Sequence, residues 1–297
     1  MTATRGTATR GACLCGAVRY TLAPPYRWLA HCHCAMCRKQ HGALFATGLG
    51  VARACFEWLS GEADVVHYRA TAVFERPFCR HCGSKVPAAA HLPDVLNVPA
   101  GNLEGDFGVR PDKHLFVKAK SPSDRITDRL PQFDAYSPGT RLPTVELPRV
   151  AAQPGITLGS CLCGTVAYEI DGALKGAVHC HCSRCRRSRS AAFATSSLAP
   201  PERFRFTRGA EQLRLYRLPE TAQGYGTPFC TRCGSLMPWV IPGFGALVPV
   251  GSIDTDVEVP VRAHIFVGSQ APWHEITDTL PQYAEYPPPE AAQQIFL

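Results

Sequence analysis

Cys32-His33-Cys34-Ala35-Met36-Cys37 packs three thiols into six residues, and Cys180-His181-Cys182-Ser183-Arg184-Cys185 repeats the pattern in the second half of the chain. Two shorter motifs flank each trio. Cys13-Leu14-Cys15 and Cys79-Arg80-His81-Cys82 surround the first, and Cys161-Leu162-Cys163 and Cys230-Thr231-Arg232-Cys233 surround the second. Together they take all but Cys55 of the 15 cysteines. Zinc takes four protein ligands in a structural centre and three in a catalytic one, so seven thiols per set divide as four plus three. An odd number of cysteines per repeat fits a disulfide framework poorly.

In Cys-x-Cys on an extended segment both side chains point to one face, so both sulfurs can meet one ion. Cys-x-x-Cys followed by Gly83 or Gly234 reads as a zinc knuckle, because glycine takes the positive φ that lets backbone N–H groups approach sulfur. Cys13, Cys15, Cys79 and Cys82 therefore form one expected closed site, and Cys161, Cys163, Cys230 and Cys233 a second. Cys32, Cys34 and Cys37, like Cys180, Cys182 and Cys185, can wrap one ion and leave a fourth position either open or closed by a histidine. His31, His33, His114, His179, His181 and His264 are the candidates for closing it. His33 and His181 sit between ligands and should point away from the metal.

The repetition extends beyond the cysteines. Gly11–Tyr20 matches Gly159–Tyr168, Pro77–Cys79 matches Pro228–Cys230, His114–Val117 matches His264–Val267, and Leu130–Phe133 matches Leu280–Tyr283. The second copy carries three extra residues, placed in the loop Pro219–Gly226. At 297 residues the chain exceeds the usual single core. Two duplicated domains are expected, 1–140 and 155–290, each with its own core and joined by a linker over 141–154. Spaced prolines between Ser137 and Leu158 (Pro138, Pro143, Pro148, Pro154) favour a semi-stiff extended linker. The tail from Pro287 to Leu297 is expected to be poorly ordered.

Alternating segments such as Val18–Leu22 and Arg203–Phe206 read as short strands. So do Leu44–Thr47, Val65–Tyr68, Leu213–Tyr216, Leu247–Val250 and His264–Val267. With 26 prolines and 25 glycines, long amphipathic helices have little room. The chain reads as mostly β, with a short helical turn after Cys37 or Cys185.

No stretch from Met1 to Gly11 supplies the apolar core of a signal peptide. No apolar run approaches the ~18 residues of a membrane span. A soluble, cytoplasmic protein with reduced thiols is expected, without a membrane partner. The formal charge of +7 suggests a polyanionic partner. Fourteen thiolates set against four Zn²⁺ would bring it to +1, so nucleic acid is not an expected partner.

Cys-x-Cys-Gly, His-Cys-His-Cys-x-x-Cys-Arg and Phe-Cys-x-x-Cys-Gly-Ser together resemble the glutathione-dependent formaldehyde-activating enzyme family, which also includes centromere protein V. The likeness runs from Gly11 to Phe133 and from Gly159 to Tyr283. It implies two tandem zinc-containing β-tent domains with up to four zinc ions, in which Cys32, Cys34 and Cys37, and Cys180, Cys182 and Cys185, hold the catalytic metal. The implied reaction is of the carbon–sulfur lyase type, joining glutathione and formaldehyde into S-(hydroxymethyl)glutathione or reversing it. The copies differ at Arg38-Lys39 and Gly42 against Arg186-Arg187 and Ser190, and at Ser123 against Trp273, which puts a common substrate in doubt.

A thiol entering an open fourth position would lose its proton and attack an aldehyde carbon. Arg38, Lys39, Arg186 and Arg187 are candidates for holding the carboxylates of a glutathione-like thiol, or else form a solvated basic turn. His114 and His264 are candidates for a proton relay or for structural hydrogen bonding. Trp273 reads as a packing anchor and Cys55 as an inert thiol. A competing reading is a non-catalytic zinc module for protein or nucleic acid, and thiol redox or metal sensing is a third. A long basic tail or an Arg and aromatic stripe would favour the module, and the chain has neither.

Overall fold

The computed structural model describes residues 8–90, 92–145, 147, 150–151, 153–218 and 224–296. The three-residue insertion expected within Pro219–Gly226 falls on 219–223, outside the described residues, as does Pro148.

The chain is mostly β, with two similar six-stranded sheets in tandem. In the first, spatial order runs Gln132–Phe133, Lys113–Leu115, Tyr26–Cys32, Ala46–Ala52, Val95–Pro99, Ala88–Ala89. The second repeats it with Gln282–Tyr283, Val261–Ile265, Ala177–Cys180, Ala194–Ala199, Gly245–Pro249 and Trp239–Ile241. Lys113–Leu115 runs parallel to Tyr26–Cys32, placing His114 opposite His31. Each half adds a three-stranded sheet and a two-stranded ribbon that carries the strand into its Cys-x-x-Cys knuckle. Alternation sets the inward faces: Tyr20 and Leu22 are buried while Arg19 is exposed.

The short helix α1 (Ala35–His41) starts inside the first trio, with Cys34 as N-cap, its sulfur accepting from the Cys37 N–H. It ends at Gly42, whose φ of 61° is the left-handed conformation glycine adopts freely. α2 (Ser183–Arg189) ends at Ser190 with φ 54°. The Ser190 hydroxyl accepts from the Lys85 N–H at 2.9 Å, so the strained serine is offset by a bond to the other half.

Residues meet their own counterparts between the halves. Phe45 packs edge-on against Phe193 at 5.3 Å, Phe78 against Phe229 at 6.3 Å, and the Thr127 and Thr277 hydroxyls lie 2.6 Å apart. Such self-contacts are the signature of a two-fold relation. They also correct the expectation of two separate cores. One buried cluster joins Tyr20, Leu29, Leu49 and Val98 to Tyr168, Ile170, Val248 and Trp273. Trp273 is 1% exposed, a packing anchor.

One further expectation changes. The tail is not poorly ordered: it forms α3 (Pro289–Phe296), with Ile295 buried in a cluster with Val178 and Ala263. Its apolar side chains outweigh the Pro287–Pro289 run that suggested disorder. In the linker, Val145 and Leu147 pack beside Cys34, Met36 and Cys37. No helix among the described residues is long and apolar enough to cross a membrane.

Candidate metal centres and their pockets

The cysteines gather into four groups, each with all its sulfurs within 4.8 Å of one another. Cys13, Cys15, Cys79 and Cys82 form one and Cys161, Cys163, Cys230 and Cys233 its counterpart. Cys32, Cys34 and Cys37, and Cys180, Cys182 and Cys185, form the trios. Each group could hold a metal ion.

The four-thiol groups bind the start of each half to its knuckle. Their sulfurs accept backbone N–H bonds, from Val18 to Cys13 at 3.3 Å and from Val166 to Cys161 at 3.2 Å. Gly83 and Gly234 have φ of 73° and 71°, as the knuckle reading requires. A side chain at Gly83 would meet the Phe229 ring, and one at Gly234 the Phe78 ring. The two knuckles are thus pressed together across the dyad.

The trios differ from these groups in access. Cys32, Cys34 and Cys37 line a cavity of about 420 Å³, and Cys180, Cys182 and Cys185 one of about 800 Å³. The four-thiol groups line neither. Sulfurs this close cannot all ionise without a cation among them. In the second trio, hydrogen bonding to Cys180 and Cys185 lowers Cys182 to about 2, whereas the bond to Cys182 pushes Cys180 up to about 12.

Among the described residues no histidine joins a trio. His33 and His181 point away from the sulfurs, as expected on extended backbone. His33 Nδ1 lies 2.6 Å from Asp124 Oδ2 and its Nε2 lies 2.8 Å from His114 Nδ1, while His114 Nε2 reaches Asp128 at 2.9 Å. The second half repeats the His181–His264–Asp278 part of this chain. His274 stands where Asp124 would, and His181 Nδ1 has no hydrogen-bond partner. His31 and His179 bond to Thr47 and Thr195. His114 and His264 thus serve a buried hydrogen-bonded seam between the halves.

The four expected carboxylate binders point elsewhere. Lys39 pairs with Asp254 of the other half and donates to Ser160 at 2.8 Å, and Arg187 pairs with Glu104 at 3.0 Å. Arg186 donates to the His181 carbonyl, and Arg38 is buried at the junction beside Ser123 and Asp254. None lines either trio cavity. Successive helix residues are rotated by about 100°, so neighbours of a ligand in sequence face away from it.

The sequence reading missed the cations that do reach the trios. Arg76 places its two terminal nitrogens 3.5 and 3.6 Å from Cys37 Sγ. Burial opposes its charge, but Cys37 and Cys34 outweigh that and hold its pKa up. Lys85 and Lys113 line the same cavity, and burial pushes Lys85 well down. Arg184, Arg189 and Arg217 line the second cavity, where Tyr225 donates to Cys185 Sγ at 3.9 Å. Strand alternation carried a signal for Arg76, since three residues before Cys79 it must face away from the four-thiol group. Phe116 and Phe266 border the cavities in left-handed backbone, with φ of 60° and 57°. Backbone strain of this kind recurs at ligand clamps. Cys55 is half-buried against the core and joins no thiol group.

The family model of the glutathione-dependent formaldehyde-activating enzyme matches residues 8–119 and again 156–269. The chain belongs to this family. The crystal structure of a Rhodobacter sphaeroides protein is also similar, at 29% identity over 35% of this chain and 98% of that one, with a TM-score of 0.28. No curated protein matches the chain. The formaldehyde-activating family model meets the chain twice, so both sets of seven cysteines fall within it.

Proposed function

We propose that the chain joins a small thiol to an aldehyde, or takes the adduct apart, as a zinc-dependent carbon–sulfur lyase. Glutathione and formaldehyde, giving S-(hydroxymethyl)glutathione, are the pair the family points to. The observation that carries this reading is that the three-thiol groups open onto cavities while the four-thiol groups do not.

The donor sets fit zinc. A tetrahedron with zinc–sulfur bonds of about 2.3 Å has edges of about 3.8 Å. The observed sulfur separations include 3.4 Å for Cys13–Cys15, 3.7 Å for Cys15–Cys79, 3.8 Å for Cys163–Cys230 and 3.5 Å for Cys32–Cys37. Cys13, Cys15, Cys79 and Cys82, with Cys161, Cys163, Cys230 and Cys233, would hold structural zinc, and the trios would hold catalytic zinc. Bound there, zinc favours the thiolate form of an incoming thiol and polarises an aldehyde oxygen.

The chain's own residues supply the rest. Arg76 balances the negative trio from behind Cys37, and Lys113 offers a charge for a carboxylate of a glutathione-like thiol. Tyr136 borders the trio, and burial raises its pKa, so it keeps its proton and can donate to the aldehyde oxygen. Met36, Phe74, Val86 and Phe116 line the cavity and exclude water. In the reaction the sulfur–carbon bond forms, the carbonyl π bond opens, and the thiol proton ends on oxygen.

Exchange NMR of glutathione with formaldehyde tests this. The protein should speed adduct exchange over the thiol alone, and Cys34→Ser with Cys182→Ser should remove the gain. Exchange at the uncatalysed rate with fully zinc-loaded protein would reject the reading.

A further inference from the structure

The two trio cavities are built from matching strands but lined by different chemistry. Strand registers fix the equivalences. Arg76 sits opposite Tyr68 as Thr227 sits opposite Tyr216, and Lys113 lies one residue before the His114–His31 pair as Ala263 does before His264–His179. Asn97 faces Gly50 as Leu247 faces Leu198, and Ala88 faces Asn97 as Trp239 faces Leu247. Lys85 bridges to Phe78 as Leu236 does to Phe229. Arg76, Lys113, the buried amine of Lys85 and the amide of Asn97 around the first cavity thus become Thr227, Ala263, Leu236 and Leu247 in the second half, and a small alanine becomes tryptophan.

The second cavity is also roughly twice as large, about 800 against 420 Å³. Leu198, Trp239, Ile241, Leu247 and Phe296 line it, and Phe244 at its rim is 58% exposed. Of its arginines, Arg184 immediately precedes Cys185, whereas Arg217 lies against the wall itself, over Trp239. Arg189 is 9% exposed, has no hydrogen-bond partner at Nε, and feels the charge of Cys185 and Cys180. Arg184 and Arg217 lie over the rings of Tyr225 and Trp239, at 5.7 and 5.9 Å.

Resting on the thiol–aldehyde reading, we infer that the second half accepts an aldehyde with a bulky apolar substituent, such as a medium-length alkyl chain, whereas the first serves small aldehydes. Arg184 remains available for a carboxylate of the thiol, which leaves the apolar wall to the other reactant. Burying such a chain against Leu198, Trp239 and Leu247 supplies the preference. The bond changes are those of the first site: sulfur joins the carbonyl carbon and the thiol proton moves to oxygen.

The test uses the full chain, with Cys34→Ser to isolate the second trio and Cys182→Ser to isolate the first. Exchange NMR compares formaldehyde with octanal, glutathione being the thiol, and adds an arm of benzyl mercaptan with formaldehyde. The Cys34→Ser protein should favour octanal over formaldehyde at least about tenfold more than the Cys182→Ser protein does, and Leu247→Asn should reduce that preference by about tenfold. A second readout needs no catalysis. Unreactive 1-octanol should change tryptophan fluorescence, Trp239→Phe should abolish the change, and Leu247→Asn should weaken it.

Equal aldehyde preference in the two variants, or no octanol response at Trp239, overturns the inference. A preference for benzyl mercaptan over octanal overturns the assignment to the aldehyde. Octanol binding at Trp239 with no catalysis at either trio supports the apolar pocket and rejects the reaction, so the two failures are distinguishable.

Discussion

Gly83→Ala should be one of the most damaging methyl additions in the protein. At φ 73° an alanine costs about 1–2 kcal/mol of backbone strain. Its Cβ would also come within 2.5 Å of the Phe229 ring, which is 1% exposed and held against Phe78. Overpacking of that kind costs typically about 1–3 kcal/mol, giving a loss of about 2–5 kcal/mol in all. Urea unfolding of zinc-loaded protein, followed by tryptophan fluorescence, measures it. Phe229→Ala alone should cost about 3–5 kcal/mol by opening a cavity. The double variant should cost less than the two singles together, by the ~1–3 kcal/mol of overlap that the missing ring no longer imposes. Additivity within about 0.5 kcal/mol would refute the contact between knuckle and ring, and with it the close junction of the halves.

Elemental analysis should find four zinc ions per fully loaded chain, the trios releasing theirs first to a chelator; two zincs with no further uptake would reject catalytic metal at the trios. Cys13→Ser and Cys161→Ser should lower the melting temperature strongly and Cys34→Ser much less, because structural zinc binding is coupled to folding. Arg76→Met should leave the fold intact but weaken metal retention at the first trio alone, read by chelator competition, with Arg76→Lys in between. His274 and His41 are each held down to about 4 by burial, against an ordinary 6.5. Because their folded pKa is depressed, each contributes stability above pH 6.5 that is lost as pH falls towards 4, about 3 kcal/mol apiece. Urea midpoints measured between pH 7 and 4.5 should therefore fall less steeply in His274→Leu than in the native chain.

The sequence made the thiol grouping legible because short spacings leave few ways to share an ion. Cys-x-Cys and Cys-x-x-Cys meet over some sixty residues only if the fold returns there, and the repeat of the whole pattern made that return credible. Basic residues beside the trios misled for a reason of geometry. Arg38 and Lys39 follow Cys37 on a helix, where adjacency in sequence means a change of face. Arg76, far off in sequence, reaches the sulfur instead. The shared core was not legible. Phe45 and Phe193, or Phe78 and Phe229, are the same residue type at matching positions, which suits two private cores as well as one common core. Gly42 against Ser190 looked like a substrate difference, yet Ser190 bonds to Lys85 across the junction.

The residues that touch their own counterparts describe, in effect, a dimer tied into one polypeptide. A true homodimer must carry every substitution on both sides of its axis, so a change that suits one pocket is forced on the other. Here each side is encoded separately. The ion pairs show the freedom this gives: Lys39 with Asp254 on one side, Arg187 with Glu104 on the other, both side chains shorter in the first pair and longer in the second. Tethering also removes the dependence of assembly on concentration. The junction persists on dilution, so the two pockets can drift apart in chemistry without the protein falling apart.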